Sequence, residues 1–118
     1  MLAYKAGVRV HHRTLSLSHI ENCALATQSD LGYPTVLVIT SVNDSRHSTH
    51  SRHYTDDAID FRTKGPPASN AMGSTASKRK FRKRFAEILG ARFTVILESL
   101  GTPNEHLHAQ VKKGQVYP

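Results

Sequence analysis

Two stretches with apolar residues at helical spacing alternate with short β-branched runs, which restricts the chain to a mixed architecture of helices packed on a sheet. From Thr14 to Thr27, Leu15, Leu17, Ile20, Ala24 and Leu25 share one face, with Thr14 or Ser16 placed to cap the start. From Lys78 to Leu89, Phe81, Phe85, Ile88 and Leu89 do the same, and Gly90 supplies a stop. Thr35 to Thr40 is a β-branched run of strand length behind the turn residues Asp30 to Pro34. Ala58-Ile59-Asp60-Phe61-Arg62 alternates and turns Ala58, Asp60 and Arg62 to one face. Arg92 to Leu97 and Leu107 to Val111 complete the strands, joined by a turn at Gly101 to Asn104. The expected fold is α+β: a small, mainly antiparallel sheet carrying the functional residues on one face, with two helices covering the other. At 118 residues the chain has room for one domain, spanning 1–118.

Composition narrows the classes of function. Hydrophobic residues are 38% and charged residues 21%, as in a folding globular protein rather than a disordered one. The longest apolar run, Val36 to Ile39, suits a buried strand, so no membrane span is expected. The stretch from Met1 to Val10 has no apolar run of signal-peptide length, giving the expectation of a chain made in the cytoplasm. Cys23 is the only cysteine, which excludes an internal disulfide and a cysteine-rich zinc finger. It reads as a small buried apolar residue in the first helix. A metal would therefore have to be held by histidine and carboxylate.

The eight histidines are unevenly distributed. His47, His50 and His53 precede Asp60, and His106 and His108 follow Glu105, so two strand-like segments carry imidazole and carboxylate groups at their ends. A catalytic zinc ion takes three protein ligands and leaves a position open for water, and His53, Asp60 and His108 are suited to supply those three. Glu105, just before His108, is placed to act as general base. Histidine-rich loops and HxH pairs also occur without metal, so each half of the pattern is weak by itself.

Ser51-Arg52-His53-Tyr54-Thr55-Asp56-Asp57-Ala58-Ile59-Asp60 resembles the SxHxxGxAxD motif of zinc D-alanyl-D-alanine carboxypeptidases and phage L-alanyl-D-glutamate endolysins, whose fold the hedgehog signalling domain shares. Glu105-His106-Leu107-His108 is similar to their second motif, and the resemblance covers roughly Val36 to Gln110. It implies that His53, Asp60 and His108 bind Zn2+ and that Glu105 is catalytic, the same four residues that the chemistry selects. The motif's glycine falls on Asp56, a residue type that tolerates the positive φ such a turn requires. The arginine that many members offer to the substrate carboxylate has no match in its usual motif, and Arg46 and Arg62 are both candidates. Either a D-Ala-D-Ala or an L-Ala-D-Glu bond in peptidoglycan fits the motifs.

Several residues take supporting roles in this reading. Ser51 can bond a ligand or the substrate, or simply its own backbone. His106, two before His108, faces the same way on a strand and can bond an intermediate or orient a ligand. His47 can orient a ligand or lie exposed in its loop, and His50, His11, His12 and His19 read as surface residues. Lys78 to Arg84 holds six basic residues in seven at a helix start, where the helix dipole disfavours cations. With the formal charge of +7, this run fits an anionic polymer or nucleic acid, or else a solvated helix face. The resulting expectation is a monomeric zinc peptidase of the phage lytic type, acting on the peptidoglycan peptide after release from the cell. The alternatives are a basic nucleic-acid-binding protein with a structural metal or none, and a hedgehog-like recognition module, for which the retained Glu105 would have no purpose.

Overall fold

The computed structural model describes residues 1–10, 13–42, 57–64 and 72–112. Its elements, in chain order, are β1 (Leu2–Tyr4), α1 (Leu15–Leu31), β2 (Leu37–Ser41), β3 (Ala58–Arg62), α2 (Thr75–Leu89), β4 (Phe93–Glu98) and β5 (His106–Val111). The strands form one sheet in the order β1-β2-β3-β5-β4, parallel between β1 and β2 and antiparallel elsewhere. This is the expected α+β architecture of a mainly antiparallel sheet with two helices.

The Thr14 cap and the Gly90 stop expected from the sequence are present, and two caps that were not expected, Gly32 and Ser74, join them. Thr14 Oγ1 accepts from the Leu17 N–H at 3.0 Å, satisfying one of the donors left free at the start of α1. Gly32 closes that helix at φ 75°, a conformation that costs other residues strain. Ser74 Oγ caps α2 through the Ser77 N–H at 3.2 Å, so this helix begins three residues before Lys78.

Alternation along the strands divides the sheet into two faces. Leu37, Ile39, Ile59, Phe61, Phe93, Val95, Leu107, Ala109 and Val111 form one buried cluster with Leu17, Ile20 and Ala24 of α1 and Phe81, Phe85 and Leu89 of α2. Both helices therefore cover the same face. Phe85 meets Phe61 edge-on at 5.7 Å between ring centroids, and Phe81 lies 5.9 Å from Phe85, arrangements that suit the ring quadrupoles. Cys23 is buried, as expected.

Several details differ from expectation. α1 runs four residues past Thr27, so that Asp30 and Leu31, expected in the turn, are its last residues and the chain turns at Gly32. β1 has only three residues, too few for a periodic signal, and it enters by pairing Leu2 with Leu37. Leu15, counted on the apolar face of α1, is 66% exposed because it occupies the first helical position, outside the packed turns. His19 is half-buried rather than on the surface, its ring 5.0 Å from Phe93.

Candidate metal centre

The sheet register assembles the centre. Across β3 and β5, Asp60 stands opposite His108 and Arg62 opposite His106. Across β4 and β5, Glu98 stands opposite His106 and Ile96 opposite His108. Because Leu107, Ala109, Ile59 and Phe61 point into the core, Asp60, His106, His108 and Glu98 share the face away from the helices. Hydrophobic packing of one face thus sets the chemistry of the other.

Among the described residues, Asp60, His106 and His108 form a largely buried cluster able to hold a metal ion, their ligand atoms all within 4.8 Å of one another. Asp60 Oδ1 lies 2.8 Å from His108 Nδ1 and 3.7 Å from His106 Nε2. Glu98 Oε1 approaches the same two nitrogens, at 3.5 Å from His106 Nε2 and 3.7 Å from His108 Nδ1.

The outer hydrogen bonds fix how the rings are presented. His106 Nδ1 lies 2.8 Å from the Asn104 carbonyl, which can only accept, so Nδ1 carries the proton and Nε2 turns a lone pair toward Asp60. His108 Nε2 lies 2.7 Å from Gln110 Oε1, whose amide nitrogen donates to the Val111 carbonyl. That orientation makes Nε2 the donor and directs Nδ1 inward. Burial disfavours the charged ring of His108, but Asp60, Gln110 and Glu98 outweigh it and raise its pKa above the ordinary histidine value. A site that attracts a second proton attracts a cation in its place, and two imidazole nitrogens with one or two carboxylates suit a divalent ion. The donor set therefore fits a metal.

Glu105 is held elsewhere. Its side chain is buried, with Lys78 Nζ at 2.7 Å, the Gly101 N–H at 3.0 Å and the Thr63 hydroxyl as donors. Burial pushes this carboxyl up, but the Gly101 N–H, the Lys78 ammonium and the Thr63 hydroxyl prevail and hold its pKa at about 2. Lys78 is accordingly buried and paired, not part of a solvated basic face. Farther along α2, Arg84 bonds Asp30 at 2.7 Å, while Arg79, Lys80 and Lys83 are exposed.

Of the residues singled out in the sequence, Asp60, His106 and His108 come together, and partly exposed Arg62 lies beside them as the cross-strand neighbour of His106. His53, Ser51, His47 and Arg46 lie outside the described residues. Glu98 and Gln110 were missed. The expected strand stopped at Leu97, one residue short of the acid that pairs with His106, and Gln110 becomes visible only by extending the His106, His108 alternation one step further. No family model, curated protein or solved structure matches the chain.

Proposed function

We propose that the protein is a zinc-dependent peptidase cleaving a peptide bond in bacterial peptidoglycan, of the D-alanyl-D-alanine carboxypeptidase or L-alanyl-D-glutamate endopeptidase kind. One observation carries the reading: the register that sets Asp60 opposite His108 also gathers the donor atoms of Asp60, His106 and His108. Two of these three are the described members of the ligand set that the sequence motifs imply, with His53 as the third ligand in that reading. When bound, zinc would polarise the scissile carbonyl and acidify a water molecule.

The chain's own work is to hold the cation, orient the peptide and accept a proton. Asp60 and His108 grip from neighbouring strands, and the bonds of His108 to Gln110 and of His106 to Asn104 keep both rings from turning. For the proton there are two carboxylates. Glu105 is the residue that the motif assigns, and to serve it must loosen its bond to Lys78. Glu98 is favoured by position, since its carboxylate is partly exposed and stands beside both imidazoles. The basic surface and the motifs' likeness to phage enzymes fit a lytic protein that reaches the wall after release.

The reading is tested by digesting purified peptidoglycan with the full chain, chelated and then reloaded with zinc, and identifying newly released amines by mass spectrometry. Cleavage should require the metal, and Asp60→Ala and His108→Ala should lose both metal and cleavage. Glu98→Gln and Glu105→Gln should separate the two bases, the true one abolishing cleavage while metal is retained. A zinc-loaded chain that releases no amine would overturn the proposal.

A further inference from the structure

β4 is the outer strand of the sheet on the side of the metal centre. The Lys112 N–H donates to the Arg92 carbonyl at 2.9 Å, and the Phe93 N–H turns away toward the Gly90 carbonyl at 3.2 Å. Because antiparallel strands alternate inward and outward pairs, the backbone groups of Val95 and Leu97 face away from β5. Arg82 Nη1 reaches the Val95 carbonyl from that free side, at 3.4 Å. A cleft of about 290 Å³ opens there, lined by Arg79, Arg82, Val95, Ile96, Leu97 and Leu100.

Three properties of this cleft point to one occupant. Among the described residues, the outward backbone groups of Val95 and Leu97 pair with no other strand, and only the Val95 carbonyl meets a side chain, that of Arg82 at 3.4 Å; such an edge matches another extended chain. Ile96 and Leu100 are 44% and 37% exposed, apolar surface suited to aliphatic side chains. Arg79 and Arg82 bring two guanidinium groups to the lining, and among the described residues neither is paired with a carboxylate. A nucleic-acid strand would call for basic groups along its whole length, whereas four of the six lining residues here, Val95, Ile96, Leu97 and Leu100, are apolar.

We propose that the outer edge of β4 seats an extended peptide bearing a carboxylate, which pairs with Val95 and Leu97, takes the Val95 carbonyl over from Arg82, and lays its carboxylate between Arg79 and Arg82. Since Ile96 is the cross-strand neighbour of His108, the seated peptide lies one strand outside the strand that abuts the metal cluster. Its identification as an acidic segment of the peptidase's own substrate rests on the function proposed above; the binding itself does not.

The experiment uses the metal-free, isotopically labelled full chain, titrated with a blocked pentapeptide of alanine and valine carrying one glutamate. Its glutamine counterpart and a backbone N-methylated form serve as comparisons. Amide shifts should centre on Val95 and Leu97, the glutamine peptide should bind about tenfold more weakly, and the N-methylated one should not bind. The R79Q/R82Q variant should erase the preference for glutamate while keeping its circular dichroism spectrum. Equal binding of the two unmethylated peptides, or an oligonucleotide that shifts the same amides more strongly, would overturn the proposal. Peptide binding at β4 without peptidoglycan cleavage would sink only the hydrolase reading. Cleavage with no response at β4 would sink only this one.

Discussion

Each imidazole of the metal centre is governed by the atom behind it. Gln110 holds the proton of His108 on Nε2, so replacing it with leucine frees the ring to change tautomer and turn. Gln110→Leu is expected to weaken zinc binding about 10–100-fold with the fold intact, as read by calorimetric titration; unchanged affinity would deny Gln110 this role. Lys78 matters for a different reason. Lys78→Met leaves the Glu105 carboxylate buried without its cation and should cost about 3–5 kcal/mol, visible as a lower urea midpoint. The alternation of His106 and His108 was legible in the sequence because a strand's period is two. The burial of Lys78 was not, since six neighbouring cations look alike until tertiary packing decides which one meets an acid.

At the scale of elements, the centre depends on register more than on loop design. A slip of one residue between β3 and β5 would drive His108 toward the helices and Leu107 into water, and the buried apolar face prevents it. Leu107→Ala, which opens a cavity under the site, should therefore destabilise by about 2–5 kcal/mol and weaken metal binding as well; thermal melts with and without zinc would show both. Ser74→Ala removes the cap of α2 and should cost about 1 kcal/mol, a smaller shift in the same melts. Both helices, four of the five strands and the cap at Thr14 could be read from periodicity and capping residues. β1 could not, because three residues pair through their neighbour's edge rather than through a pattern of their own. The end of α1 and the start of α2 moved by a few residues and the end of β4 by one, and Glu98 entered the site with that last shift.

Over the whole molecule, the balance between an excess of positive charge and a few deeply held acids sets the response to pH. Glu105 has a folded-state pKa of about 2, below its ordinary 4.5, so its contribution is complete above 4.5 and is lost as pH falls toward 2. Denaturant titrations from about pH 5 down to about pH 2.5 should show the stability gap between wild type and Glu105→Gln narrowing; a constant gap would contradict the assignment. The acid side matters doubly because Glu105 joins three parts of the fold: Thr63 just past β3, Lys78 in the first turns of α2, and Gly101 in the turn that delivers His106. Loosening that knot frees the hairpin carrying the imidazoles at the moment the helix lets go. On heating the zinc-loaded chain at neutral pH, loss of helical signal should then bring cation release with it, whereas a chelator can draw the metal from the folded chain.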